Sequence, residues 1–335
     1  MKLDERQTLK LYDNVEIKVR PTDIVYITGE SGSGKSTLLK AMERDLKDEA
    51  INIDSIKIDQ NKPIVETIGK DINEALELLS RVGLNDAYLF IRRYNELSDG
   101  QKYRYRIAKL MESNKQWWIM DEFCSTLDRE TAKIVAYNVQ KQARRMRKAV
   151  IAATTHTDLL EDLAPTIHIH KGLGEKIKIK YYPNKPRNKC TITKNLYITE
   201  GNLKDYQQLA KFHYRDPEKH PPPIKIYTLK RRNDKATVGV ILYSWPPPSV
   251  AGRRMALGRN MPMEELNKNL ATISRVIIHP KYRGIGLGTL LVKETLPLIG
   301  RPYVEAIAVM AKYNPFFEKA GMKRITSSHG DKTIW

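Results

Sequence analysis

The sequence predicts an α/β domain built on a parallel sheet over residues 1–188, followed by an α+β domain over residues 189–335. Three observations carry this. The 335 residues exceed what one hydrophobic core usually organises, so about two domains are expected. The first half alternates short β-rich runs with helical patterns, whereas the second gives strands in a mixed order. Between them PNKPRNK, residues 183–189, reads as a linker from its two prolines and polar residues, and places the boundary near residue 190.

In the first half the strands are DIVYIT at 23–28, IKI at 56–58, WWIM at 117–120 and AVIAATT at 149–155, each short, apolar and β-rich. ETAKIVAYNVQKQARRM carries a helical pattern, and EKIKIKYY is a last alternating strand. The second half starts with the strand LYIT and the helix LKDYQQLAKFHY at 203–214. The strands IKIYTL, ATVGVILYS, ATISRVII and YVEAIAVM follow. PPPIK at 221–225 and WPPPS at 245–249 must be loops or edges, because proline cannot donate to a sheet ladder. No internal repeat is visible.

Hydrophobic residues make up 41% and charged residues 29%, as in soluble globular domains. No apolar run approaches the roughly 18 residues needed to span a bilayer. The N-terminal MKLDERQTLKLYD lacks the apolar core of a secretory signal. The expectation is a cytoplasmic protein without a membrane segment. Cys124 and Cys190 are too few for a disulfide framework or a thiolate metal cluster and read as bystanders. Lys and Arg number 58 against 39 Asp and Glu, a net charge of +19 that favours polyanionic partners. Nucleic acid is therefore the leading partner class; the alternative is a solvated basic surface with acidic patches at the active sites. Arg144, Arg145, Arg147 and Lys148 crowd one predicted helix end. From Lys171 to Lys194, Lys171, Lys176, Lys178, Lys180, Lys185, Arg187, Lys189 and Lys194 face one acid, Glu175.

Directly after the first strand, Gly29-Glu30-Ser31-Gly32-Ser33-Gly34-Lys35-Ser36 fits the P-loop pattern and runs into a helix starting at Thr37. Its glycines let backbone N–H groups wrap phosphates at a helix N-terminus, Lys35 neutralises the β and γ phosphates, and the Ser36 hydroxyl can ligate magnesium. That says nucleotide triphosphatase without saying which kind. Leu97-Ser98-Asp99-Gly100-Gln101 and the KYRYRIAKLM that follows resemble the signature of ABC ATPases and the helix after it. In that family's order come Asp121 and Glu122 after WWIM, Ser125-Thr126-Leu127-Asp128 as a D-loop, and His156 after AVIAATT as the switch histidine. The resemblance implies ATP and Mg2+ as cofactors, with Ser36, Gln60 (the Q-loop position) and Asp121 around the metal, Glu122 polarising water and His156 sensing the γ-phosphate. It also implies a homodimer in which Ser98, Gly100 and Gln101 of one copy cap the nucleotide of the other. Tyr12, 23 positions before Lys35, is a candidate to stack on adenine. Lys35 to Ser98 is only 63 positions, so the intervening helical subdomain is small, which puts docking to a transporter in doubt.

In the second half, Arg283-Gly284-Ile285-Gly286-Leu287-Gly288 lies between the strand ATISRVII and an amphipathic helix, and resembles the R-x-x-G-x-G/A motif of GNAT acetyltransferases. The context lets amides 284–288 and the helix dipole hold a CoA pyrophosphate. KYNPFFEKAGM resembles the same family's later motif, with Asn314, Phe317 and Gly321 at its marked positions. The resemblance implies acetyl-CoA or another acyl-CoA as cofactor. It departs at Phe317, where many members carry a tyrosine that protonates the leaving thiolate. Tyr313, Tyr282, His213 and Tyr214 are the candidate replacements, with water besides. FHYRDPEK at 212–219 and VGVILYSWPPPSVAGR at 238–253 resemble the opening of phage Mom-type proteins, GNAT-like enzymes that modify DNA adenine and so evade restriction. That resemblance implies an acceptor site lined by His213, Tyr214, Arg215, Ser244 and Arg275. The resulting expectation is an ATP-dependent acyltransferase acting on nucleic acid. Its rivals are acetylation of tRNA or of a protein amine, and a regulator whose GNAT fold only senses acyl-CoA.

Overall fold

The strand Ile24–Gly29 (β1) is buried at every position, as a parallel strand covered on both faces must be. A computed structural model describes residues 10–213, 216, 220–250, 252–308, 313–326 and 333–334. Their packing forms two compact units, one of residues 1–60 and 97–191, the other of residues 61–96 and 192–335.

From β1 the chain continues through α1 (Lys35–Leu46), β2 (Ala50–Asn52), α2 (Ile72–Arg81), α3 (Ala87–Phe90), α4 (Asp99–Glu112), β3 (Trp117–Met120), α5 (Arg129–Met146), β4 (Ala149–Thr154), α6 (Leu160–Leu163), β5 (Ile167–Lys171) and β6 (Ile177–Tyr181). The first unit is a six-stranded sheet in the order β2-β3-β4-β1-β5-β6, parallel except for the antiparallel β6. Alternate residues Val25, Ile27, Ile119, Ile151 and Ile169 pack with Leu39 of α1 on one face. Asp128 caps α5 by accepting from the Thr131 N–H at 3.1 Å and its hydroxyl at 2.6 Å.

The sequence reading of this unit needs four corrections. Residues 56–58 form no strand; the edge strand is β2, six residues earlier, where Ala50-Ile51-Asn52 pairs with Trp117-Trp118-Ile119. β5 is a strand missing from the sequence reading, although IHIHK alternates apolar and polar residues as a half-buried strand does. The basic helix end is only partly at the surface: Arg145 and Arg147 are exposed, whereas Arg144 donates to the Ala164 carbonyl at 2.6 Å and buried Lys148 donates to the Asn114 carbonyl at 2.8 Å. Residues 183–189 are not a free tether either. Tyr137 and Gln140 of α5 donate to the carbonyls of Asn188 and Arg187, each at 3.1 Å, and Arg187 pairs with Glu161.

The second unit adds β7 (Leu196–Glu200), α7 (Leu203–Ala210), β8 (Pro223–Arg231), β9 (Thr237–Ser244), α8 (Arg253–Leu257), α9 (Met263–Asn269), β10 (Leu270–Ile278), α10 (Leu287–Thr295), β11 (Tyr303–Ala306) and α11 (Phe316–Lys319). Its sheet runs β11-β10-β9-β8-β7, antiparallel throughout except for the parallel pair β10–β11. That pair is short, from Leu270↔Tyr303 to Ile273↔Ala306, while β10 runs on to Ile278. Tyr206 and Leu209 of α7 pack on Ile226, Val240, Leu242 and Ile277. The helix expected to reach residue 214 ends at Ala210, with Lys211 as its C-cap. Pro223 opens β8, a position that needs no ladder donor, and 245–249 follows β9 as a loop. Within this unit, residues 61–96 contribute their own core of Ile64, Ile68, Leu79, Leu84 and Leu89.

Candidate functional site

In the first unit, Lys35, Asp121-Glu122 and His156 follow the carboxyl ends of β1, β3 and β4 respectively. These three strands are parallel neighbours in the order β3-β4-β1. Ligands of open parallel sheets bind beyond those ends. The loop after β1 turns on glycine: Gly32 has φ 75° and Gly34 φ 101°, and Gly34 caps α1. A Cβ on Gly29 would lie 2.0 Å from the Lys171 carbonyl oxygen, so nothing larger fits. Lys35 is 5% exposed, and its ammonium donates to the Glu30 carbonyl within the loop at 2.7 Å. Ser31 is exposed, and Ser36 and Thr37 start α1, where their N–H groups have no intrahelical acceptor.

Tyr12 donates its hydroxyl to the Gly34 carbonyl at 2.7 Å, and the buried Lys171 ammonium lies 5.0 Å from its ring centre. Burial pushes the Tyr12 phenol up to about 12, so it stays a donor at working pH. The sequence places Tyr12 by distance from Lys35 alone; its bond to the loop carbonyl is a link no spacing predicts. Asp121 accepts from the Glu122 N–H at 3.0 Å, and exposed Glu122 sits at φ 44°. Such a backbone is unusual outside glycine and marks a site held by its surroundings. The Phe123 N–H, bonded to the Ala153 carbonyl at 2.7 Å, is one such restraint. His156 is half-buried, and its carbonyl accepts from Tyr26 at 2.5 Å. Ser98 and Gln101 form a capping box on α4, with the Ser98 N–H donating to Gln101 Oε1 at 3.0 Å. Gly100 follows in the same turn, and Gln60 is exposed.

A family model described as ABC transporter matches residues 12–72, which include the P-loop, Tyr12 and Gln60. The methionine import ATP-binding protein of Clostridium tetani is 27% identical over 201 residues, 49% of this chain and 62% of that protein. The cytochrome c biogenesis ATP-binding export protein of Reclinomonas americana is 31% identical over 182 residues, 44% of this chain and 79% of that protein. The chain belongs to the ABC ATPase family. Its alignment covers only 17% of a mouse relative, ATP-binding cassette sub-family B member 5, at 25% identity. Among solved structures, the dimeric ATP-binding cassette MJ0796 bound to ADP and phosphate matches with a TM-score of 0.44 and 19% identity, over 54% of this chain and 94% of that one. The curated relatives it matches are named as ATP-binding proteins, and the chain spans about three fifths of the length of the methionine import protein. Among the described residues, no helix is long and apolar enough to cross a membrane.

In the second unit, β10 leads through 279–286 into α10, whose N-cap is Gly286 at φ 86°; Gly284 has φ 90°. Gly288 lies in the first turn of α10, where a Cβ would make ordinary contact, 3.5 Å from the Phe316 ring. Arg283 does not point its guanidinium into the loop: it donates to Ile278 and Phe212 carbonyls at 3.0 and 3.2 Å and pairs with Asp86 at 3.3 Å. Any anion held here would be held by the amides rather than by this side chain. The Asn314 carbonyl accepts from the Phe316 N–H at 2.8 Å, and Phe317 is 3% exposed against Phe316.

Of the acceptor-site residues, Ser244 is buried at the end of β9 with its hydroxyl 2.7 Å from that of Ser274 and 3.3 Å from the Pro221 carbonyl. Arg275 is buried and donates to the Ser274 carbonyl at 2.8 Å. His213 is half-buried, with its N–H on the Ala210 carbonyl at 3.0 Å; Tyr214 and Arg215 lie outside the described residues. Among the candidate acids, Tyr282 has its hydroxyl 3.1 Å from Arg231 Nη1, and Tyr313 donates to Asn73 Oδ1 at 2.7 Å. Sequence reasoning missed a buried cluster beside the short β10–β11 pairing. Glu305 accepts from Arg253 Nε and Nη2 at 3.0 and 2.7 Å and from the Thr272 hydroxyl at 2.8 Å. Arg253 also donates to the carbonyls of Pro247 and Pro248, anchoring the proline loop. No local pattern announces a pair 52 residues apart.

Proposed function

We propose that the chain is an ATP-driven acyltransferase acting on nucleic acid, with DNA adenine as the favoured acceptor, in which residues 1–188 form the ABC module and 189–335 a GNAT-type, Mom-like acyl-CoA site. The observation that carries the second part is the glycine turn, with positive φ at Gly284 and Gly286, leading from β10 into the N-terminus of α10. The amides at that helix N-terminus and the helix dipole suit a pyrophosphate. β10 is paired with β11 from Leu270 to Ile273, and the acyl chain would lie beside the part of β10 beyond that pairing. In the ABC module, Lys35 holds the β and γ phosphates. Ser36, Gln60 and Asp121 offer the oxygen-only donor set that magnesium takes. Glu122 orients water, and His156 meets the γ-phosphate. Two copies sandwich the nucleotide, with Ser98, Gly100 and Gln101 completing the partner's site.

Transfer proceeds by attack of the acceptor nitrogen on the acyl carbonyl, with CoA thiolate leaving; His213, Tyr214, Arg215 and Ser244 are the acceptor-side residues. Phe317 has no proton to give, so the acid is Tyr282 (whose hydroxyl accepts from Arg231), Tyr313, His213, Tyr214 or water. The nucleic-acid reading is supported by charge. On the edge strand β6, Lys178 and Lys180 are exposed on one face, and Lys176, Lys185 and Lys189 are exposed around it beside Tyr181 and Tyr182. Lysines give phosphate contacts, and exposed tyrosines give stacking surfaces for unpaired bases. Mass spectrometry of nucleosides from DNA and RNA of cells expressing the chain tests this. A new adenine adduct, lost in Gly286→Val, is expected; unmodified nucleosides in both pools refute it.

The names of the import and export relatives favour a second reading, the ATP-binding subunit of a transporter. It requires the chain to copurify with a membrane component and to modify no nucleoside.

A further inference from the structure

The loop that leaves β9 presents an aromatic ring to solvent. Trp245 is 44% exposed, while its neighbours Ser244 and Pro246 are buried. The prolines from Pro246 to Pro248 fix φ along the loop, and the residue before a proline is itself restricted, so the ring stands on stiff backbone. Arg253 ties that backbone down through the carbonyls of Pro247 and Pro248 and is itself locked on Glu305 of β11.

A cation and a second ring stand around the same spot. The Arg301 guanidinium lies 4.7 Å from the Trp245 ring centre and donates to the Leu270 carbonyl. Among the described residues the guanidinium makes no other hydrogen bond, which leaves its remaining N–H groups for a ligand. Leu270 faces Tyr303 in the β10–β11 register, and Tyr303 is likewise 44% exposed. Tyr303 shares a face of β11 with Glu305, the residue that anchors the tryptophan loop through Arg253.

One exposed aromatic is ordinary on a protein surface. For two beside an arginine the plain alternative is a protein contact, since Trp, Tyr and Arg are enriched at such interfaces. Charge favours a polyanion instead: the indole carries a cation with unused donors, in a chain with 58 Lys and Arg against 39 Asp and Glu. A ring takes the face of a base, and a guanidinium stacked on that ring can take the adjoining phosphate. Bases inside a duplex have both faces covered by their neighbours, so only an unpaired or extruded base can use the ring.

We propose that Trp245, Arg301 and Tyr303 form a stacking platform for unpaired nucleotides, by which the second unit selects single-stranded or extruded bases over intact duplex. This rests on the nucleic-acid reading above and names the residues that set its specificity. Trp245 directly follows Ser244, one of the acceptor-side residues, so a base stacked there lies next to that site. The stiff loop lowers the ordering cost of binding.

The test uses the full chain. Labelled single strands of DNA and of RNA, and the DNA duplex, are titrated by fluorescence anisotropy at one salt concentration. Strands containing iodouracil are photocrosslinked and mapped by mass spectrometry. The wild type should bind at least one of the two strands about tenfold more tightly than the duplex, with crosslinks on Trp245 or Tyr303. Trp245→Ala should weaken strand binding about 5- to 150-fold, the loss of one base stack, with duplex affinity, salt slope and ATP binding unchanged. Trp245→Phe keeps a ring and should retain most of the affinity, whereas Arg301→Lys keeps the charge without the plane and should lose strand preference. Strand affinity in Trp245→Ala equal to the wild type overturns the proposal, as does an equal loss for strand and duplex. A wild-type dimer that Trp245→Ala dissociates in sedimentation, with strand affinity unchanged, makes the patch a protein interface instead. Nucleoside adducts are read separately. Strand affinity lost in Trp245→Ala while the wild type forms no adduct leaves the platform standing and sinks acyl transfer; adducts at the parental level with unchanged strand affinity sink the platform alone.

Discussion

Replacing Glu305 by glutamine removes one negative charge from the centre of the second unit while keeping the side chain's shape. The carboxylate takes two hydrogen bonds from Arg253 and one from Thr272, and the pair is nearly sealed, with side chains 8% and 6% exposed. Surface ion pairs contribute little, but breaking a buried one leaves a desolvated charge and costs about 3–5 kcal/mol. Arg253 keeps its two proline carbonyl acceptors, which places Glu305→Gln near the lower figure. With 1.4 kcal/mol per decade, amides of β10 and β11 should exchange about a hundredfold faster through unit opening. Native-state hydrogen exchange reads this for the second unit by itself. Arg253→Met, Thr272→Val and Glu305→Leu together should recover most of the stability, because no charge or hydroxyl is then buried without a partner. A Glu305→Gln protein whose β10–β11 amides exchange within about threefold of wild type would refute the argument, since that corresponds to under 1 kcal/mol.

Glu122→Gln should slow hydrolysis while leaving nucleotide binding intact, so size-exclusion chromatography with ATP should show a dimer; a monomer peak unchanged by ATP contradicts the sandwich. Cys124 is fully buried and burial pushes its thiol far up, and Cys190 is buried too, so iodoacetamide at pH 8 should leave both unmodified by mass spectrometry until the protein is unfolded. Tyr12→Phe removes the bond to the Gly34 carbonyl and should weaken ATP binding by roughly 1 kcal/mol, about fivefold, by calorimetry; because the phenol sits near 12, wild-type ATP affinity should show no Tyr12 titration between pH 6 and 10. Lys178→Glu with Lys180→Glu should lower nucleic-acid affinity and flatten the log–log salt slope by about 0.9 for each phosphate no longer neutralised, leaving the ATPase rate unchanged.

What the sequence revealed follows burial. β1, β3 and β4 were legible because central parallel strands are buried at every position and so mostly apolar, and the P-loop because its glycines and Lys35 sit next to one of them. Residues 56–58 look like a strand locally, yet the edge of the sheet is β2, chosen by pairing with Trp117–Ile119, which no local pattern encodes. Lys171 counts as surface charge in the sequence, but its ammonium is buried and bonded to the Gly172 and Gly174 carbonyls. The ties between 61–96 and the glycine turn were invisible for a similar reason. Asp86 and Arg283 are 197 residues apart, and Asn73 and Tyr313 are 240 apart. Their partners are set by packing, and each alone reads as an ordinary surface polar residue.

Residues 190–335 alone would lack Asp86 and Asn73, so the decisive measurement needs the whole chain. Acetyl-CoA and ATP should each be titrated by calorimetry into the wild type and into Lys35→Ala. An ATPase fused to an acyl-CoA enzyme predicts saturable binding of one acetyl-CoA per chain in both proteins, with ATP binding only in the wild type. ATP binding without any saturable acetyl-CoA binding in the wild type would contradict it and leave an ABC ATPase whose second unit serves another ligand.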